Sequence, residues 1–356
     1  MGNTKVRESN IELLRNISMF MILVIHANFV ALPKIGYEEL TNNTAPSVTR
    51  YFIESLGIVA VNVFVFISGW FGINTRTMSV LSFIYQILFF LGGVGVLLIL
   101  FGYGTFSVRW LLDVFQFTGL DWFIKSYFVL MIIAPILNAF SKTGDEKTQR
   151  YVMISFFLFE ISFCWAAGGS RFFVSGYGPL HFIGLYVTAQ YIHNQLQNTS
   201  TPSLLKRLFQ LPIWADFCIS TFCAIMNTFF VVVGSMCYGI VEPFHALAYA
   251  YSNPLVIIGA LHLLLLFSKL NMPHIKVVNW LGASSFAVYL FHCETAVRGK
   301  FFLPSIQYLY DNYTGVACIG MISLFLFFIY IVSVLIDQLR ILTWNKLSKL
   351  MIKDTH

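Results

Sequence analysis

Residues 11–32 read IELLRNISMFMILVIHANFVAL, an apolar run that contains only three ionisable residues, Glu12, Arg15 and His26. A helix rises about 1.5 Å per residue, so roughly 20 residues of this kind cross the hydrocarbon core of a bilayer. We therefore predict that this run is a transmembrane helix.

The whole chain has the composition of an integral membrane protein. Of its 356 residues, 58% are hydrophobic and 11% are charged, and the mean hydropathy is +0.75. Soluble domains carry about 25% charged residues, so a large soluble catalytic domain is excluded. The net charge is +6, but the 22 Lys and Arg residues are spread over many short gaps and form no continuous basic face. We therefore expect no nucleic-acid partner.

Ten apolar runs, separated by polar clusters, predict an all-α, polytopic membrane protein with about ten transmembrane helices. Their approximate bounds are 11–32, 54–72, 80–101, 122–140, 151–168, 176–193, 212–234, 254–268, 279–297 and 315–337. The segment 106–118 is amphipathic and too short to span, so we expect it at an interface. Neither a repeat nor a linker is apparent, which favours a single membrane domain over residues 1–356, with short cytoplasmic tails at 1–10 and 338–356.

The distribution of cations predicts the orientation of these helices. If both termini lie in the cytoplasm, 15 of the 22 Lys and Arg residues fall on the cytoplasmic side. This asymmetry follows the positive-inside rule, so we expect a multi-pass protein of the plasma membrane. The six cysteines form no Cys-x-x-Cys pair and lie mostly in apolar runs, so the sequence predicts neither a metal site nor a disulfide.

Ionisable residues in the first run form one candidate site, because such residues are costly inside a membrane. Arg15 and His26 are eleven residues apart, close to three helical turns, and leave the helix on one face. They lie about 16 Å apart along the axis, which places Arg15 at the cytoplasmic boundary and His26 near mid-membrane. Glu12 precedes Arg15 by one turn and can pair with it. The alternative is a snorkelling arginine and a histidine that hydrogen-bonds a neighbouring helix.

The ninth run contains a second candidate set, since residues 284–292 read SSFAVYLFH. Ser285 and His292 are seven residues apart and share a helix face, and Tyr289 lies close to that face. Counted from the cytoplasmic side, His292 reaches a depth similar to that of His26. Two imidazoles could therefore meet in one buried polar site, and two unrelated structural histidines are the alternative.

Six short motifs follow one another along the chain. They are Arg15-x10-His26, FVFISG at 64–69, Trp122-Phe123 with Tyr127 and Pro135, HFIGLY at 181–186, Ser252-Asn253-Pro254, and Ser285-Phe286-x3-Leu290-Phe291-His292. In this order, and over nearly the whole chain, they resemble the membrane-bound acyltransferase-3 family. The resemblance implies a ten-helix enzyme that moves an acetyl or similar acyl group, usually from acetyl-CoA, onto a sugar of a surface polysaccharide or glycan precursor. It also implies a catalytic role for His26.

The resemblance leaves open how the donor is held. Some members of the family carry an Arg-x-x-Arg motif in a cytoplasmic loop that holds CoA, and this chain has no such string. Arg15 suits contact with the phosphates or the pantetheine arm of CoA. The replacement candidates for the missing motif are Arg76, Lys206 and Arg207.

A chemical scheme follows from these residues. The thioester would lie near His26, which would take the proton of the attacking acceptor hydroxyl, with His292 beside it. An acyl-enzyme on Ser285 or on His26 is the alternative. Ser285 and Tyr289 are candidates for the acceptor site, and the charged or aromatic candidates at the outer rim are Lys125, Arg171, Tyr177, Glu242, His245 and Arg298. For each of these, a loop side chain that only faces water is the alternative.

The main competing function is a flippase or exporter of lipid-linked glycans without acyl transfer. Such transporters more often show two related halves with helices broken at corresponding positions, and neither feature is apparent. A polysaccharide polymerase would need a long outer loop, whereas the gaps here do not exceed about twenty residues. The resemblance therefore favours an O-acetyltransferase, and it implies that the partners are membrane lipids and a polysaccharide or lipid-linked glycan.

Overall fold

The computed structural model describes residues 7–115, 122–167, 174–197 and 204–353, and within these ranges every regular element is helical. The α-helices are α1 (Ser9–Ile25), α2 (Tyr37–Asn42), α3 (Thr44–Gly57), α4 (Val59–Phe71), α5 (Thr77–Leu88), α6 (Gly95–Leu100), α7 (Val108–Phe115), α8 (Trp122–Thr143), α9 (Glu146–Glu160), α10 (Pro179–Gln197), α11 (Leu204–Phe209), α12 (Ile213–Tyr238), α13 (Glu242–Ala248), α14 (Pro254–Ser268), α15 (Lys276–Ala283), α16 (Ser285–Cys293), α17 (Thr295–Val297), α18 (Leu303–Asn312) and α19 (Gly315–Lys353). The π-helical segments are His26–Ala31, Phe89–Val94, Ile161–Trp165 and Arg298–Phe302, and Val174–Gly176 is a 3-10 turn.

Six stretches of the described residues are long and apolar enough to cross a membrane. They are Ser9–Ala31, Thr44–Phe71, Thr77–Leu100, Trp122–Thr143, Ile213–Tyr238 and Gly315–Met351. The all-α membrane class is thus confirmed by length and composition. The count of ten spans and the orientation stay predictions.

Two runs differ in extent from their predicted bounds. The second run, expected at 54–72, begins earlier with α3 and is divided from α4 at Ile58. The last helix continues to Lys353, although we expected a tail from residue 338. Leucine, isoleucine and basic residues alternate at helical spacing after Asp337, so the chain can continue the helix. The amphipathic segment forms α7, and its residues 116–118 lie outside the described residues.

The ninth run, predicted as one helix over 279–297, is divided into α15, α16 and α17. Glu294 lies at the second break, where its carboxylate accepts hydrogen bonds from the backbone N–H groups of Ala296 (2.9 Å) and Val297 (2.8 Å). A carboxylate in this position satisfies the first N–H groups of a new helix, which favours ending α16 and starting α17. Hydropathy alone does not detect such a break, because the apolar run continues through it.

The chain forms two compact units, of which the first contains Met1–Ile25, Lys34–Ile73 and Trp122–Ile275. Helix α4 is central to this unit and packs against α1, α10 and α14. Most of its buried side chains are apolar, with Val63 and Phe66 completely buried, and Asn62 is a fully buried polar residue of the same helix. The approach to α10 is close at Gly69, where an added Cβ would overlap the backbone carbonyl oxygen of Tyr186. A glycine is therefore required at this crossing.

The second unit contains His26–Pro33, Asn74–Asp121 and Lys276–His356. Helix α16 packs against α19, and α18 packs against both α19 and the π-helical segment that begins at His26. Asp337 and Arg340 form a buried bidentate pair within α19, with Arg340 Nε 2.8 Å from Asp337 Oδ1 and Nη2 3.0 Å from Oδ2. Gln86 of α5 donates to the same carboxylate at 3.3 Å. The hydrogen bond from Gln86 therefore joins α5 to α19 within this unit.

Candidate active site

His26 and His292 are in direct contact within the second unit. His26 begins a π-helical segment, and His292 lies in the last turn of α16. Nδ1 of His26 lies 2.8 Å from Nε2 of His292, and the ring centroids are 5.0 Å apart. π-Helical turns are rare and often occur at functional sites. The structure thus brings together two residues that are 266 positions apart in sequence.

The hydrogen bonds of this pair have a defined direction. Nδ1 of His292 lies 2.6 Å from the backbone carbonyl oxygen of Val288, and a carbonyl can only accept. In neutral His292 the proton is therefore on Nδ1, and Nε2 is an acceptor. Nδ1 of His26 must then donate to Nε2 of His292, which leaves the lone pair of His26 on its own Nε2. The tautomer of His26 is thus selected by His292 and the carbonyl group of Val288.

Aromatic side chains surround His292. The ring of Tyr289 lies 5.9 Å from the imidazole and that of Phe302 lies 5.4 Å away, and both side chains are buried. Ser285 is buried at the start of α16, on the face expected from its spacing to His292. The sequence analysis missed Phe302, since it follows the break at Glu294 and no helical spacing relates it to His292.

The predicted pair between Glu12 and Arg15 is present in the first unit. Nε of Arg15 lies 3.5 Å from Oε2 of Glu12, and Nη1 of Arg7 lies 3.1 Å from Oε1 of the same carboxylate. Glu12 is buried, whereas the side chain of Arg15 is 28% exposed. A buried carboxylate between two guanidinium groups restrains the exposed arginine, which therefore presents an oriented cation at the start of α1.

The other cationic candidates for the donor differ in accessibility. Arg76 precedes α5 and is exposed, and Arg207 of α11 is also exposed. Lys206 is buried, with 7% of its surface exposed. Among these three residues, the two arginines are therefore the ones accessible to a large anionic ligand.

Trp122, Tyr177 and Tyr251 of the first unit form an aromatic cluster. The ring of Tyr177 lies 4.6 Å from that of Trp122 and 4.8 Å from that of Tyr251. Tyr177 is 38% exposed, so this cluster has an accessible edge. The turn before it requires Gly176, which has φ +87° and would overlap Tyr251 if it carried a Cβ.

The remaining predicted acceptor residues differ in exposure, since His245 is partly buried against Tyr51 and Tyr249, whereas Arg298 is exposed in the second unit. Lys125 is exposed on α8, one turn after Trp122, and Glu242 is exposed at the start of α13. Arg171 lies outside the described residues. Of the described rim residues of the first unit, Tyr177 belongs to the aromatic cluster and Lys125 lies one turn from Trp122 along α8.

His181, at the start of the HFIGLY motif in the sixth apolar run, belongs to a buried hydrogen-bond network. Its Nδ1 lies 2.8 Å from Oε1 of Glu160, and its Nε2 lies 3.0 Å from Oδ1 of Asn62. Asn62 donates in turn to the backbone carbonyl oxygen of Tyr251 at 2.9 Å. The network is therefore hydrogen-bonded to the backbone of one member of the aromatic cluster. Glu160 was missed by the sequence analysis, although a carboxylate inside the fifth apolar run is a signal that could have identified it.

A comparison with known protein families identifies the family of this chain. The family model of the acyltransferase-3 type, described as an acyltransferase domain, matches residues 8–337 and therefore includes both His26 and His292. No curated protein and no solved structure matches the chain significantly. Because the family match extends over nearly the whole chain, the protein belongs to the acyltransferase-3 family of membrane acyltransferases.

Proposed function

We propose that the protein transfers an acetyl or similar acyl group from cytoplasmic acyl-CoA, with acetyl-CoA as the donor, to a hydroxyl group of a cell-surface polysaccharide or lipid-linked sugar. The observation that carries this proposal is the directed hydrogen bond from His26 to His292. This hydrogen bond leaves Nε2 of His26 as a basic nitrogen, and it places Nε2 of His292 as the acceptor for Nδ1–H of His26. General-base catalysis needs this arrangement.

The transfer is a single displacement at the thioester. Nε2 of His26 removes the proton of the acceptor hydroxyl while its oxygen attacks the carbonyl carbon of the donor. The new C–O bond forms, the C–S bond breaks, and the proton on His26 passes to the departing sulfur of CoA. The positive charge that develops on His26 is stabilised through its Nδ1–H by Nε2 of His292. His26 is thus the catalytic base, and His292 is a positioning residue that acts through it.

The aromatic cluster of Trp122, Tyr177 and Tyr251 is the proposed binding surface for the sugar. Flat aromatic faces pack against the C–H faces of sugar rings, and the hydroxyl of Tyr177 adds a polar group at the exposed edge. Lys125 and Glu242 supply exposed charges in the same unit. Ser285 and Tyr289 are the proposed contacts of the acceptor hydroxyl near His292. Arg171 is a further candidate for contact with the sugar.

Arg15 is the proposed principal contact for CoA. Its guanidinium is held by Glu12 and remains partly exposed, so it can form a bidentate contact with a phosphate or with an amide of pantetheine. Arg76 and Arg207 are exposed cations that can hold the remaining phosphates. Lys206 is the least accessible of these cations, because it is buried.

Mass spectrometry of surface glycans tests this function. Cells that express the chain are expected to carry glycans heavier by one acetyl group per modified sugar, and cells that express His26→Ala are expected to lack that increment. His274→Ala is the matched control, because His274 is exposed and takes no part in the mechanism. An unmodified glycan in all strains, together with export that depends on the chain, would favour the flippase function instead.

A further inference from the structure

Three metal-ligating side chains converge at one point in the second unit. A ring nitrogen from each of His26 and His292 and the sulfur of Cys293 all lie within 4.8 Å of one another. Nε2 of His292 is central, since it lies 2.8 Å from Nδ1 of His26 and 3.5 Å from Sγ of Cys293. The proposed acyl transfer uses the two histidines but makes no use of Cys293.

These distances are close to those of a tetrahedral zinc site. Zn–N bonds of about 2.05 Å and Zn–S bonds of about 2.3 Å separate two nitrogens by about 3.3 Å and a nitrogen from a sulfur by about 3.6 Å. The observed N···S distance of 3.5 Å already fits. The two imidazoles would have to separate by about 0.5 Å from their hydrogen-bonded distance, and the ring nitrogen of His26, which lies within 4.8 Å of Sγ of Cys293, would have to settle about 3.6 Å from it.

Two features of the surroundings favour a cation at this point, although the positive charge of Arg298 also acts on His26. Nδ1–H of His292 donates to the carbonyl oxygen of Val288, and this second-shell bond typically orients a metal-bound histidine. His292 and Cys293 lie at the C-terminal end of α16, where the helix dipole is negative. His26 and Cys293 are partly exposed, so a cation can reach the site, and the fourth position is left for water.

We propose that a borderline-soft divalent cation of the Zn²⁺ class binds to His26, His292 and Cys293 and thereby switches off acyl transfer. Imidazole and thiolate ligands select such an ion over Mg²⁺ or Ca²⁺, which prefer oxygen. The binding site is independent of the proposed function, whereas the inhibition rests on it.

Metal binding and catalysis exclude each other, because both use Nδ1 of His26 and Nε2 of His292. The metal takes the lone pair of Nε2 on His292 and displaces the hydrogen bond from His26. His26 then binds through Nδ1, so its proton moves to Nε2 and the basic nitrogen of the mechanism is lost. Cys293 binds as the thiolate and releases its proton to the solvent. One proton is therefore released for each metal ion bound, and no redox step is involved.

Cobalt titration of the purified full chain in detergent tests the site without reference to activity. Co²⁺ is expected to bind with a stoichiometry of one per chain and to produce the visible bands of a tetrahedral ion together with a thiolate charge-transfer band. Cys293→Ser and Cys293→Ala are both expected to lose the charge-transfer band. Cys237→Ser is the matched control and should keep it, because Cys237 is an exposed thiol of the first unit.

Inhibition by Zn²⁺ is then measured in the same preparations, with each variant compared with its own rate in the absence of metal. Loss of one of three ligands is expected to raise the half-inhibitory concentration of Zn²⁺ at least about tenfold for Cys293→Ser. Retention of the charge-transfer band in both Cys293 variants would show that Cys293 is not a ligand and would refute the proposed metal site. Loss of activity on treatment with a chelator would overturn the inhibitory role. Absence of acyl transfer in every preparation would refute the proposed function, and the cobalt spectrum would still decide the site.

Discussion

Removing the imidazole of His292 is the perturbation that tests the proposed mechanism most directly. In the structure its Nε2 accepts the hydrogen bond from Nδ1 of His26 at 2.8 Å. In His292→Ala this acceptor is lost, so His26 can adopt the other tautomer, and the imidazolium formed during transfer loses its partner. We expect the variant to fold and to bind both substrates, because Arg15 and the aromatic cluster, the proposed principal contacts of the donor and of the sugar, are left unchanged.

The magnitude follows from one hydrogen bond to a charged group. Such a bond contributes about 1.5 to 3 kcal/mol, so His292→Ala should lower kcat about 10- to 150-fold. Loss of the base itself in His26→Ala should cost about 10² to 10⁴-fold, or about 3 to 5 kcal/mol. His292→Gln should be milder than His292→Ala, because its amide oxygen can take the place of Nε2. Residues that act as one unit are not additive, so the double variant should be no slower than His26→Ala alone.

The assay is transfer of labelled acetyl groups from acetyl-CoA, expressed per folded molecule after size-exclusion chromatography in detergent. His274→Ala serves as the control for loss of a histidine outside the site. If His26→Ala kept more than about a tenth of the wild-type turnover, His26 would not be the base. If the effects of the two single variants multiplied in the double variant, His292 would act independently of His26, and the mechanism would be refuted.

Four further predictions concern the donor, the acceptor, the topology and the dependence on pH. Arg15→Lys should weaken the apparent affinity for acetyl-CoA about tenfold, because the ammonium group of lysine cannot form the bidentate contact of a guanidinium group. An unchanged affinity would show that other residues bind the donor. Tyr177→Ala should raise KM for the sugar acceptor about 3- to 10-fold with kcat retained, and a fall in kcat alone would argue against a stacking role. A reporter fused after His356 should be cytoplasmic and one inserted near Asn43 should be outside, so finding both on one side would end the ten-span topology. Burial lowers the pKa of His245 from 6.5 to about 4, so the unfolded chain takes up a proton that the folded chain does not. Stability should therefore fall by about 2 kcal/mol as the pH is lowered from about 7 to about 5, and His245→Gln should flatten this part of the thermal-stability profile.

Hydropathy and short-range spacing determined several features of this protein directly from the sequence. The first apolar run forms a helix over Ser9–Ala31 that is long enough to cross a membrane. The pairing of Glu12 with Arg15 follows from their separation by one turn. The apolar run 254–268 was predicted with the bounds that α14 has in the structure. Each of these features depends on residues within a few turns of one another, and the geometry of a single helix relates such residues.

Other features required the tertiary structure. The break at Glu294 depends on a side chain that caps α17, although hydropathy continues through it. The network of His181, Glu160 and Asn62 joins three helices whose order of packing no period in the sequence specifies. Counting residues from the cytoplasmic end of each run could place the two imidazoles at similar depths in the membrane. It could not assign which nitrogen of His26 carries the proton. That assignment depends on the distance between His292 and a backbone carbonyl group, and hydrogen-bond direction is determined only when donor and acceptor are placed in space.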